Sequence, residues 1–148
     1  MIEKVKRYIE QNNLFSKEDK IILAISGGAD SVCLMHILIE LGVYFELAHC
    51  NFNLRGKESD NDESFVKSLA LNYKLALHSK SFDTYAYSVK EQVSIQMAAR
   101  ELRYEWFDKL LYSENAKYIA IAHHQDDSLE TFFINLIRGT GISGLRGI

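Results

Sequence analysis

Lys20-Ile21-Ile22-Leu23-Ala24-Ile25-Ser26-Gly27-Gly28-Ala29-Asp30-Ser31 is the stretch that decides the fold. Lys20 to Ile25 form a short apolar run rich in isoleucine and closed by two glycines, which predicts a strand buried on both faces. Asp30 to Leu41 then predict an almost wholly apolar helix, with an acid near its start and Gly42 as its terminating residue. A doubly buried strand that turns through glycines into an apolar helix is the opening unit of a parallel sheet.

The elements on either side continue the alternation. Ile2, Val5 and Ile9 fall at helical spacing and predict a short amphipathic opening helix. Tyr44 to His49 reads as a second strand. Ser59 is expected to cap the next helix, with carboxylates in its first turn and Phe65, Leu69 and Tyr73 as its apolar stripe. Lys74 to Ser81 is a third strand, Ile95 to Leu110 a longer helix, and Lys117 to Ala122 a fourth strand. Leu129, Phe132, Phe133, Leu136 and Ile137 predict a last helix that ends at Gly139. The fold class is therefore α/β, a doubly wound parallel sheet with helices on both faces. Ligands in such sheets bind beyond the carboxyl ends of the strands, where the strand order reverses.

Composition narrows the classes of function. The 148 residues suit one domain, and 17 basic against 20 acidic side chains give a net charge of −3. A domain whose whole surface grips nucleic acid is usually basic, so that class is excluded, though a local basic patch is not. Cys33 and Cys50 form no CxxC pair, which excludes a disulfide framework or zinc site of the usual spacing. A reducing, cytoplasmic setting is expected. No span near 20 apolar residues occurs, so the sequence does not predict a membrane segment.

Two clusters carry chemistry. In Ser26-Gly27-Gly28-Ala29-Asp30-Ser31 the glycines allow a sharp turn and a close ligand approach, while helix-start amides and hydroxyls can donate to phosphate oxygens. The same double glycine also serves an ordinary strand-to-helix turn. After the fourth strand comes His123-His124-Gln125-Asp126-Asp127-Ser128-Leu129-Glu130-Thr131. At about 100° per residue, Asp127, Glu130 and Thr131 share one helix face and Leu129, Phe132, Phe133 and Leu136 the other. Adjacent carboxylates there can hold Mg²⁺ or can simply be acids favoured by a helix start. Adjacent strand residues point to opposite faces, so His123 and His124 do not readily share one ion. Arg100 and Arg103 lie on the long helix among Glu101 and Glu105, a pattern that also suits a salt-bridged surface. With Arg138 and Arg146, and no acid after Glu130, the tail carries a local charge of +2.

The six-residue loop resembles the SGGxDS loop of the PP-loop (N-type ATP pyrophosphatase) superfamily. Three further segments resemble the tRNA(Ile)-lysidine synthetase family: His49-Cys50-Asn51-Phe52-Asn53-Leu54-Arg55-Gly56 running on to Ser59-Asp60, the His123–Thr131 segment, and Arg138-Gly139-Thr140-Gly141 running on to Gly144-Leu145. Phe52 and Asn53 stand where many members have His and Gly. The likeness covers almost the whole chain and implies an adenine nucleotide alpha-hydrolase-like sheet in the order 3-2-1-4-5. It implies a ligase that uses ATP to join L-lysine to C2 of cytidine 34 in tRNA(Ile) with a CAU anticodon, releasing AMP and pyrophosphate. Ser26, Gly27, Gly28, Ala29, Asp30, Ser31, His49, His123, Arg138 and Gly139 are the implied ATP-binding residues. Asp30 and Asp127 are the implied catalytic pair, Asp30, Asp126 and Asp127 the Mg²⁺ ligands, and Arg55, Arg100, Arg103 and Arg146 the candidates for touching tRNA. The resemblance also implies that residues 1–148 are the incomplete N-terminal catalytic domain, truncated before its fifth strand and lacking tRNA-binding regions. An exposed sheet edge and self-association, as in a homodimer, would follow from that. Two rivals remain: a PP-loop tRNA thiolation enzyme, and a nucleotide-binding module without chemistry.

Overall fold

The structure is a computed structural model that describes residues 1–124 and 132–138. The elements run α1 (Ile2–Gln11), β1 (Ile21–Ala24), α2 (Ala29–Glu40), β2 (Phe45–Asn51), α3 (Lys57–Tyr73), β3 (Leu77–Ser81), α4 (Thr84–Glu91), α5 (Ile95–Ser113), β4 (Tyr118–His124) and β5 (Phe132–Arg138). They build a five-stranded sheet in the order β3-β2-β1-β4-β5. The first four strands are parallel, with Leu23 of β1 opposite Leu47 of β2 and Ala120 of β4. The chain steps from β1 to β2 and β3 on one side, then crosses to β4 on the other, so the order reverses between β1 and β4.

Side chains of β1 alternate between two cores, as strand geometry requires. Ile21, Leu23 and Ile25 join Leu34, Met35 and Leu38 of α2 and Val66 of α3 on one face. Ile22 joins Ala48, Ile119 and Phe107, Leu110 and Leu111 of α5 on the other. Ile21, Ile22 and Leu23 are fully buried. At about 25 cal/mol per Å² of apolar surface, each contributes roughly 1.5–3 kcal/mol.

Three expectations are corrected. The helix expected over 129–137 is replaced, over Phe132–Arg138, by a strand antiparallel to β4, with Phe132 opposite His124 and Arg138 opposite Tyr118. Phe-Phe-Ile-Asn-Leu-Ile-Arg is a short apolar run rich in aromatic and β-branched residues, which periodicity alone cannot assign. The outer edge of β4 supplies the unpaired N–H and C=O groups that decide it. That edge is consequently covered: the four parallel strands are those expected, and β5 adds an antiparallel strand beside them. Ser59 does not cap α3, which starts at Lys57 behind Gly56; its hydroxyl, inside the first turn, instead accepts the Arg55 amide at 3.2 Å. Val66 and Ala70 are the buried positions of α3, while Phe65 and Tyr73 are exposed. Sequence reading also passed over α4, whose start is capped by Asp83 accepting the Ala86 amide. Among the described residues, no helix is long and apolar enough to cross a membrane.

At the amino ends of the strands, on the α5 side, lies a charged cluster. Glu46 is 8% exposed and takes the Lys20 ammonium at 2.8 Å and His78 Nε2 at 2.7 Å. Burial raises the Glu46 pKa, but the hydrogen bonds from Lys20 and His78 outweigh it and hold the carboxyl below its usual 4.5. Glu46, His78 and Glu114 offer ligand atoms within 4.8 Å of one another, yet Lys20 already bonds both glutamates, Glu114 at 3.5 Å. Lys20→Met should therefore destabilise the protein by about 2 kcal/mol, because it leaves Glu46 buried without its strongest partner. A lowered carboxyl pKa stabilises above the unfolded pKa and stops doing so as pH falls through the folded one. The stability advantage of the unsubstituted protein over Glu46→Gln should thus be full at pH 7, decline as pH falls below the usual 4.5 and vanish once pH has passed through the lowered folded pKa; urea titrations from neutral to acid pH measure it.

Candidate phosphate-binding site

β1 ends where its polar continuation begins. The Ile25 amide still donates to the Ala48 carbonyl at 2.9 Å, and the chain then turns through Gly27, whose φ of +94° is the reason for a glycine there. A Cβ at that position would meet Asp62 and Val66 at 3.6 Å, an ordinary contact, so conformation and not space excludes other residues.

Gly28 caps α2 through its backbone alone. The loop is held by a closed circuit: the Gly28 amide donates to Ser26 Oγ at 3.2 Å, and Ser31 Oγ donates to the Gly28 carbonyl at 3.0 Å. The two hydroxyls meet at 3.2 Å, and the Ser26 amide also donates to Ser31 Oγ at 3.2 Å. Ser26 and Gly28 are exposed, and Ser31 is buried beneath them. Asp30 is half-buried in the first turn of α2. First-turn amides of a helix have no intrahelical acceptor, so this end presents N–H groups and positive dipole to an anion.

His49 lies behind the loop, 3% exposed, with Nδ1 2.8 Å from the Ile25 carbonyl. A carbonyl only accepts, so Nδ1 is the donor in this contact and Nε2 is the ring's other nitrogen. That Nε2 is buried and has no partner among the described residues. The Nδ1 hydrogen bond holds the carbonyl immediately before Ser26.

In front of the loop is a cleft of about 220 Å³ at the carboxyl ends of β1, β2 and β4, lined by Ser26, Ser31, Cys50, Phe52 and Arg103 among others. A larger groove of about 300 Å³ lies elsewhere, between α1 and the end of α2, and holds none of the loop residues. Burial pushes the Cys50 thiol up to about 12, against the pull of Arg103 and Lys80. Cys50 is accordingly a protonated wall of the cleft at neutral pH and no thiolate.

Five further described candidates, four arginines and one histidine, separate clearly. Arg103 lines the cleft, and among the described residues it makes no ion pair. Arg55 is bound to Asp62 at 2.9 Å and to Glu58 at 3.6 Å, outside the cleft. Arg100 is exposed and lies over the Tyr104 ring. His123 belongs to the end of β4 next to the cleft residues Ile121 and Ala122. The register sets Arg138 opposite Tyr118, at the far end of β4. Asp126, Asp127, Gly139 and Arg146 lie outside the described residues.

Motif residues that sequence reading left without a physical role turn out to tie the site's loops together. Buried Asn51 donates to Glu63 at 2.8 Å and Asp60 at 3.4 Å, and accepts the Asn53 amide at 3.0 Å. Hydrogen bonds from Asn51 first, then Lys67 and Ser79, lower Glu63 to about 2 against its burial. The place of Phe52 against Arg103 was also missed, since 51 residues separate them and only packing brings them together.

Comparison with known proteins agrees with this geometry. A family model described as a PP-loop domain matches residues 1–148. The tRNA(Ile)-lysidine synthase of Bacteroides thetaiotaomicron is 54% identical over 146 residues, 99% of this chain and 34% of its own length. That of Porphyromonas gingivalis is 50% identical over 149 residues, covering 100% of this chain and 33% of its own. A more distant relative of the same name, from Petrotoga mobilis, is 41% identical and covers 99% of this chain and 48% of its own. The chain thus spans a third to a half of the length of these curated relatives. A glycine turn held by two serines at the switch point of a parallel sheet, and a family match that runs the length of the chain, lead to one conclusion: the chain belongs to the PP-loop domain family.

Proposed function

We propose that this chain is the ATP-using part of a ligase that joins L-lysine to C2 of cytidine 34 in tRNA(Ile), with release of AMP and pyrophosphate. The observation that carries the reading is the 54% identity, over 99% of the chain, to a tRNA(Ile)-lysidine synthase. The closed Ser26–Gly28–Ser31 circuit beside the Arg103 cleft supplies a physical place for the triphosphate.

The base oxygen at C2 is a very poor leaving group, so the reaction has two parts. The C2 oxygen attacks the α-phosphorus of ATP and pyrophosphate departs; the lysine amine then adds at C2 and AMP leaves. Little of this requires covalent participation by the protein, and catalysis rests on positioning and on offsetting charge. In this reading the first-turn amides of Ala29 and Ser31 cradle phosphate oxygens, and the Gly28 amide and Ser26 hydroxyl exchange their bonds within the loop for bonds to the nucleotide. Gly27 keeps Cβ atoms out of their path. His49 holds the loop from behind, and His123 stands at the cleft's β4 side. Arg103 faces the phosphates, which moves it from the tRNA contacts to the nucleotide site. Arg138 is left out of the nucleotide set because of its place at the far end of β4. Asp30, with Asp126 and Asp127, provides the hard oxygen ligands that Mg²⁺ prefers, and the ion would neutralise charge on the phosphates. The raised Cys50 thiol disfavours the thiolation alternative, which needs a nucleophilic or metal-binding thiolate.

The reading is tested with full-length protein, unmodified tRNA(Ile) and radiolabelled lysine: lysidine should form with one AMP per lysine, and ATP turnover without lysine transfer would overturn it. Asp30→Ala should lower pyrophosphate release at least about a hundred-fold, while the thermal midpoint moves by only a few degrees because the site is polar and near solvent. Near-normal release would remove Asp30 from the chemistry. Asp127→Asn keeps the side-chain volume but loses a charge. Its activity should drop by about two orders of magnitude at low Mg²⁺ and recover in part at high Mg²⁺. Unchanged behaviour at low Mg²⁺ would leave Asp127 as a helix-start acid only.

A further inference from the structure

We infer that Phe52 is a positioning residue that holds the Arg103 guanidinium over its ring, inside the cleft and ready for the phosphates of ATP. The inference rests on the proposed reading of that cleft as the ATP site. Arg103 reaches the cleft from α5 on a long side chain whose immobilisation costs up to about 2 kcal/mol of rotamer entropy. Among the described residues no carboxylate fixes its position. The aromatic face does that instead: the guanidinium lies 5.1 Å from the Phe52 ring centroid, a cation–π distance.

The ring is itself packed against neighbouring aromatics. It stacks on Phe82 at 5.5 Å with 17° between the planes, and Phe82 meets Trp106 edge-on at 6.1 Å. Its backbone is fastened on both sides. The Phe82 amide donates to the Asn51 carbonyl at 2.8 Å, Thr84 Oγ1 to the Phe52 carbonyl at 2.7 Å, and Asn53 Nδ2 to the Phe82 carbonyl at 2.9 Å. Thr84 is 1% exposed, so this clamp is shielded from water. The loop after β2 and the junction before α4 therefore form one rigid block, and the block presents Phe52 to Arg103. Both residues line the cleft with Ser26 and Ser31. A cation fixed before the nucleotide arrives adds its full attraction to binding, since little freedom is left to lose.

The test is MgATP affinity by calorimetry on the full-length protein. Phe52→Leu keeps an apolar side chain against Phe82 but removes the ring, and it should weaken ATP roughly five- to thirty-fold. Phe52→Tyr should stay within about two-fold of the unsubstituted protein. In an Arg103→Ala background, Phe52→Leu should change affinity by less than about two-fold, because its effect runs through the arginine. Equal losses in both backgrounds, or no loss in either, would overturn the proposal. If Phe52→Leu fails to fold, pentafluorophenylalanine at position 52 replaces it. That ring keeps the shape but not the negative face, so unchanged ATP affinity would equally overturn the proposal. Arg103→Ala alone separates the two readings. ATP binding at full strength would remove Arg103 from the nucleotide site. Weakened binding there with an unaffected Phe52→Leu would defeat only the positioning role.

Discussion

Everything in this molecule hangs on β1 having no side that faces water. Ile21, Ile22 and Leu23 are packed between α2 and α3 on one face and α5 on the other. A strand so enclosed must pair on both edges, which β2 and β4 do. Where the apolar run stops, at Ile25, the chain has to leave the core at once. It does so through a positive-φ glycine and a hydroxyl circuit, directly over the amino end of α2. The same constraint that builds the core thus fixes the Ser26–Ser31 loop at the switch point of the sheet. His49 couples the two by bonding the last carbonyl of the strand.

Charge is sorted by distance from that point. At the amino ends of the strands Lys20, Glu46, His78 and Glu114 satisfy one another. Beside α3 the Arg55 guanidinium is occupied by Asp62 and Glu58, both well exposed and of small energetic weight. At the carboxyl ends Arg103 has aromatic company and no described carboxylate. A net charge of −3 is therefore compatible with a cleft that attracts an anion, because Lys20 and Arg55 are engaged by carboxylates while Arg103, among the described residues, is not. Preorganisation, more than total charge, sets what a cleft of this kind can hold.

Sequence alone determined the parallel α/β class, the first four strands, the loop Ser26–Ser31 and its position before a helix. Each of these depends on local regularities, namely an unbroken apolar run, glycines at a turn, and helical spacing, that the chain carries without its neighbours. Tertiary structure decided the remainder. Phe132–Arg138 is a strand because β4 offers an open edge, not because its residues differ from those of a helix. Val66, and not Phe65, faces the core, where it packs with Leu34 and Leu38 of α2 and Ile25. Asn51 and Glu63 meet across a loop, as do Phe52 and Arg103 across two elements. No spacing rule reports such contacts, since they arise from the packing of segments far apart in the chain and exist only once the sheet has been assembled.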